Sequence, residues 1–335
     1  MHRASLIKLF GITALLFTGA ANAQSEVINQ MGRVINDALF YSDKYITPAA
    51  DAAVYQSASG WMDTPKEREA WDVTLSVHVN VFFTPQRDRE FTIYNNDFTF
   101  FQLEEGTSAV VPTALGNDYQ VYLSGMLGDD ELRLETPEGV NRETVPYPYF
   151  QGSVAVGYGT EVVAKYSPKV NFRDRSFQVY GVGIKHNFSR YFSSLAEKKI
   201  HLAALVAFSK EEVSSNFLNV QTDYGTLGLN TINADVDTWQ FQVNGSKEFG
   251  RFEAMAGLLL NRSELKFNVS GEKGGIEAIL PLQETLNKRL EEIYKTRVNC
   301  IAEASLSYNM GHFDLQTILA FGQFVNGNIS LHYTF

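Results

Sequence analysis

Ser76 and His78 stand two positions apart in the run WDVTLSVHVNVFF, residues 71–83. A serine hydroxyl within reach of an imidazole is the pairing that general-base activation of a nucleophile needs. In an extended chain residues two apart share a face, so the pair meets the first geometric condition for hydrolysis. The pattern offers no third group to orient the imidazole, and an inward histidine is more often a hydrogen-bonded interior residue than a base. The single cysteine, Cys300, falls on an apolar face, away from any substrate. G-x-S-x-G, H-E-x-x-H and phosphate-loop patterns are missing. Gly157-Tyr158-Gly159 and Gly181-Val182-Gly183 lack the third glycine of a dinucleotide loop and read as small packing positions in strands. Neither catalytic residues, nor a metal, nor a cofactor are expected, and the chain does not read as an enzyme.

His78 belongs to a strand with Val73, Leu75, Val77, Val79, Val81 and Phe83 on one face and Thr74, Ser76, His78 and Asn80 on the other. Globular strands usually run about five or six residues, whereas this one suits a tilted membrane strand of about 9–11 residues with short extensions. The alternation returns at 176–188, at 200–208 with His201, and at Trp239, Phe241 and Val243 opposite Gln240, Gln242 and Asn244. It returns again at 252–260, at 298–308 with Glu303 on the polar face, and at 313–321. Runs 149–158 and 161–172 alternate less cleanly. Thr74, Ser76, His78, Asn80, His201, Gln240, Gln242, Asn244 and Glu303 are therefore the candidate lumen-facing positions of an all-β, antiparallel transmembrane barrel. By the same parity Ala203, Leu205, Ala207, Met255, Leu259, Ile301 and Ile318 also point inward. A mixed interior suggests a filled or ligand-holding barrel rather than a wide, wet pore.

Residues 1–23 carry Arg3 and Lys8, an apolar run and Ala21-Asn22-Ala23, the layout of a secretory signal peptide. The mature chain is then expected to begin at Gln24, with both its ends on the periplasmic side. Without the leader, 26 basic residues face 38 acidic ones, a net charge of −12, which argues against nucleic acid as a partner. One cysteine allows no internal disulfide, so an exported chain needs a large packed or hydrogen-bonded framework. The 24 Phe, 16 Tyr and 3 Trp favour strands.

Loop lengths arbitrate between a barrel and a soluble sandwich. Counting back from the C-terminus, the long connections 210–237 and 268–296 leave the same end, opposite the side that holds the C-terminus. An outer-membrane barrel shows this asymmetry of short turns and long outer loops. Aromatic residues near strand ends agree, since their amphipathic rings prefer the interface. The expected organisation is a leader at 1–23, a helical, plug-like segment at 24–70 and a barrel at 71–335. Twelve strands is the expected number, with ten or fourteen open because 86–148 is hard to read. In that stretch 91–103, 119–123 and 131–135 are strand candidates. The plug's apolar stripe is Val27, Ile28, Met31, Val34, Ile35, Ala38 and Leu39, with an irregular stretch expected after Pro48 and occupation of the lumen by residues 26–40.

The last residues, NGNISLHYTF, alternate to the end. Ile329, Leu331, Tyr333 and Phe335 resemble the terminal signal that outer-membrane barrels present to the barrel-assembly machinery. The layout of leader, helical segment and long-looped barrel resembles the long-chain fatty-acid transporter (FadL-like) class. The stretches SGWMDTPKEREAWDVTLSVHVNVFF and YGVGIKHNFSRYFSSLAEKKIHLAALVAFSKEE resemble uncharacterised outer-membrane barrels of the Bacteroidetes type. That class's Asn-Pro-Ala start does not follow Ala23, and none of its ligand contacts maps here by motif. The resemblance implies an outer-membrane location in a Gram-negative envelope, lipid as surroundings, and passive uptake of a small hydrophobic or amphipathic compound through a partly plugged lumen. A docking barrel, contacting a partner protein through the Leu/Ile stripe at 282–293, is the alternative. A membrane hydrolase built on Ser76 and His78 is the third.

Overall fold

Each alternating run pairs with its neighbours in sequence, and the last pairs with the first. The computed structural model describes residues 3–335 apart from 129, 173–174, 218–220, 223–224, 227 and 275–280. Strands β1 (Val73–Phe83), β2 (Thr144–Gly157), β3 (Thr160–Phe172), β4 (Arg175–Asn187) and β5 (Ile200–Asn216) are followed by β6 (Thr231–Phe249), β7 (Phe252–Ser270), β8 (Lys295–Asn309), β9 (Phe313–Phe321) and β10 (Val325–Thr334). Among the described residues these ten close one antiparallel barrel. β10 lies beside β1 with Leu75 opposite Tyr333 and Val79 opposite Ile329, so no barrel edge is left open.

The exterior writes the membrane boundary in residue types. Phe208, Trp239 and Arg262 stand in register across β5, β6 and β7. Below that row the outward residues are apolar, Phe241 and Val243 on β6 and Phe252, Leu258 and Leu260 on β7. Above it they turn polar, with Asp237, Asp235 and Asn233 on β6 and Glu264 and Lys266 on β7. An aromatic girdle marks the other boundary, where Tyr158, Phe249, Phe252 and Phe335 are exposed. β6 and β7 run 19 residues each, about twice the 9–11 that a tilted strand needs to cross hydrocarbon, so their upper halves rise clear of lipid.

That rise corrects one expectation. Residues 210–216 and 231–237 are strand, not loop, and the connection between β5 and β6 spans only 217–230. Among the described residues the barrel has ten strands, one of the numbers left open beside twelve, because 84–143 does not cross the membrane. Its apolar residues lack the period of two. They form short pairings of Glu90–Tyr94 with Ser108–Pro112, and of Tyr122–Leu127 with Gln102–Leu103 and Asp130–Glu135. The predicted strand over 91–103 is thus broken by the 3₁₀ turn at Asn95–Asp97.

Helix α1 spans Arg3–Ala58 with Pro48 inside it. The irregular stretch expected after Pro48 is helix, because four of residues 49–53 are alanine, the best helix former. Pro48 still leaves the helix without one backbone bond, since it has no N–H to offer the carbonyl four residues earlier. Residues 29–46 of α1 lie above the barrel, not in the membrane-level lumen. Met31, Val34, Ile35, Ala38 and Tyr41 share one core with Ile93, Phe98, Leu123 and Leu134 of the 84–143 insertion and Ile232, Val236 and Phe267 of the tall strands. Helix α2 (Leu282–Leu290) closes this dome. Its stripe Leu282, Leu286 and Leu290 is at most 4% exposed, so the face expected to meet a partner protein is already used within the fold.

Asp37 ties the insertion to α1. Its carboxylate accepts from the Thr99 N–H and hydroxyl (2.7 and 2.8 Å) and from the N–H groups of Phe100 and Phe101 (2.8 and 2.9 Å). Bonds to a charged acceptor are worth about 1.5–3 kcal/mol each, and orphaned buried donors cost about as much. Asp37→Ala is therefore expected to free residues 95–101 to limited proteolysis while the barrel stays heat-modifiable in detergent gels.

Candidate functional site

The Ser76–His78 pair is real. Ser76 Oγ lies 2.9 Å from His78 Nε2, and His78 Nδ1 lies 3.3 Å from Asn328 Oδ1 on β10, a third group that the sequence did not reveal. The same motif recurs on the neighbouring strand, with Ser330 Oγ 2.8 Å from His332 Nε2. The two imidazoles sit edge to face at 5.1 Å, and His78 stacks on Tyr149 at 4.3 Å. All four side chains are buried, and Ser76 also donates to the Gln151 carbonyl at 3.2 Å. Duplication, burial and ring stacking describe polar pairs built into a packed wall, although His332 Nδ1 has no partner there among the described residues.

Three of the other lumen candidates hold the chain's own N-terminal segment. Asn80 Nδ2 donates to the Gln56 carbonyl at 2.9 Å, Gln240 Nε2 to the Ala58 carbonyl at 3.1 Å, and Glu303 Oε2 accepts from the Gly60 N–H at 3.4 Å. Thr74 bonds Thr334 across the β1–β10 seam, Asn244 contacts Met255 Sδ, and buried Gln242 accepts from Gln240. His201 stands apart, half-buried at the short-turn rim, where Nε2 meets Glu248 at 2.7 Å.

Sequence parity missed the strongest group. Lys165 on β3 donates to the carbonyls of Ser57 (2.9 Å) and Ser59 (2.8 Å), placing a cation where the helix dipole is negative. Its ammonium lies 4.5 Å from the Trp61 ring centre and 4.6 Å from that of Tyr149. Gly60 follows the helix with φ +75°, the left-handed conformation that glycine adopts at helix ends. Trp61 and Met62 then enter a socket of Val163, Ala203, Leu205, Ala207 and Met255. That socket explains the mixed interior: small inward residues on β5 make room for an indole. The signal for Lys165 was its inward parity between Ala164 and Tyr166, hidden by the loss of clean alternation at the Pro168 bulge.

Below the socket a ring of charges clamps residues 63–68 to the short-turn rim. Arg68 pairs with Asp63 and with Glu161 (2.8 Å), Lys185 with Glu161 (2.6 Å), and Lys66 with Glu248 (3.2 Å). Thr64 Oγ1 donates to Glu253 at 2.8 Å, and Lys185 donates to the Thr64 carbonyl at 2.9 Å. Burial pushes the Asp63 carboxyl upward, but the Arg68 guanidinium and Lys185 outweigh it and hold it well below the usual carboxylate range. Asp63 therefore stays ionised throughout neutral pH.

A greasy belt bounded by polar rows, a closed strand ring and an internal plug define a transmembrane β-barrel with an N-terminal helix in its lumen. The chain belongs to the family of unknown function DUF6588, whose profile matches residues 1–335. A sequence comparison with curated proteins gives no match. Among solved structures, the translocator domain of the autotransporter NalP from Neisseria meningitidis is similar at 10% identity and TM-score 0.37, over 86% of this chain and 96% of that one. The outer membrane protein OprG from Pseudomonas aeruginosa matches at 8% identity and TM-score 0.27, over 80% and 98%. The attachment invasion locus protein Ail of Yersinia pestis matches at 8% identity and TM-score 0.25, over 80% and 100%.

Proposed function

We propose that this protein is an outer-membrane barrel for passive uptake of a small amphipathic compound, with α1 and the 59–68 segment as its stopper. One observation carries the reading. Beside the lumen half of α1 lies a cavity of about 100 Å³, lined by Ala52, Ala53, Phe82 and Phe177 together with Gln56 and Arg175. Gln56 Nε2 and Arg175 Nε are buried there without a hydrogen-bond partner. An apolar wall with two unspent donors suits a greasy ligand bearing an acceptor head. Capture occurs from the long-loop side, and passage follows when the stopper yields. We read the outward residues Ile329, Leu331, Tyr333 and Phe335 as the signal for insertion by the assembly machinery.

The test is electrical. Deleting residues 26–68 from the reconstituted barrel is expected to raise its conductance in planar bilayers, because it removes both the lumen half of α1 and the Trp61–Met62 and 63–68 segment below it. Unchanged conductance would reject the stopper. Binding of octanoate to the intact protein, lost in Arg175→Gln, would support the ligand class, and equal binding by both would count against it.

A further inference from the structure

Contacts at three heights give α1 a direction. At the long-loop rim Tyr45 Oη lies 2.9 Å from Ser215 Oγ and 2.7 Å from the Glu138 carbonyl. At mid-barrel Ser57 and Ser59 meet Lys165, and Ala58 meets Gln240. At the opposite rim Thr64 meets Glu253 and Lys185, and Arg190 reaches Glu67. β1 then starts upward from Val73. The polypeptide thus descends through the barrel before building its wall, and residues 29–46 stand on the same face as the 84–143 insertion, where Gln30 Oε1 accepts from the Gly128 N–H at 2.7 Å. Trp61, Met62, Tyr149 and Lys165 occupy the mid-lumen, which leaves no second passage by which the preceding chain returns.

We propose that the barrel carries its own N-terminal segment across the membrane and displays it on the long-loop face, opposite to the C-terminus. With the outer-membrane location argued above, that face is the cell surface. The chain N-terminal to the lumen stretch then lies on the outer side of the membrane, so any polypeptide joined there would be presented to the medium. This reading needs no uptake function and stands or falls separately from it.

Single-cysteine variants in a Cys300→Ser background decide the matter, probed in intact and permeabilised cells with a membrane-impermeant maleimide. Asn36→Cys reports α1, Glu105→Cys the insertion and Gly311→Cys a short turn; all three positions are exposed. The expected result is full labelling of positions 36 and 105 in intact cells, and of 311 only after permeabilisation. Position 36 behaving like 311 while 105 labels in intact cells would overturn the threading and leave the location intact. Labelling of 36 and 105 only after permeabilisation would overturn surface display together with the outward assignment of the long-loop face.

Discussion

Replacing Lys165 with leucine is expected to open the barrel. The ammonium holds two carbonyls at the end of α1 and lies against two aromatic rings. Its loss strands those carbonyls, and leaves Glu303 and Glu211, both buried, without the nearby positive charge. Breaking such an arrangement by removing one partner costs about 3–5 kcal/mol, and each ~1.4 kcal/mol is tenfold in an equilibrium. The fraction of barrels with a displaced stopper should therefore rise by at least about a hundredfold. Single-channel recording would show long open periods in Lys165→Leu where the parent is shut. Parental closure in the variant would mean that Lys165 merely fills space.

Gly60→Val should have a comparable effect by another route. A Cβ at this position would meet Tyr149 Oη at 2.3 Å. The ring cannot swing aside freely, because it stacks on His78 and its hydroxyl accepts from Asn328 Nδ2 at 3.1 Å. The left-handed backbone adds about 1–2 kcal/mol for any side chain, and overpacking adds about 1–3 kcal/mol. The variant is expected to lose several degrees of melting temperature and to leak ions. Gly32→Ala, where added carbon meets nothing within 4 Å, should do neither. Equal behaviour of the two variants would dispose of the argument.

The barrel wall was legible wherever one face meets lipid and the other meets the plug, as in β1, because the environment changes at every residue. Legibility failed where that contrast fades. Asn233, Asp235 and Asp237 read as loop because their outward face is wet, although Ile232, Ala234 and Val236 keep the inward rhythm. The 84–143 insertion was opaque for another reason: Ile93, Phe98 and Leu134 serve a globular core, whose contacts follow no short period. The site was half legible. Parity gave Asn80, Gln240 and Glu303 their inward direction, but not their task. Their partners lie 24, 182 and 243 residues away, and no spacing rule links a strand to the end of a distant helix. Direction along the barrel axis was the least accessible feature, since an amphipathic stripe reads the same whichever way the helix is inserted.

Pro48 gives the molecule a mechanical grain. Above it α1 is cemented into the dome through Asp37, Tyr41 and Tyr45; below it α1 packs Val54 and Tyr55 against the wall and is tied by the lumen contacts of Asn326 and Lys165. With one rung missing from its ladder at that level, α1 bends there more cheaply than elsewhere. Bending in α1 thus gathers at the mouth, like a shear pin that spares the roof, and on the proposed function the stopper would swing there while the dome keeps its shape.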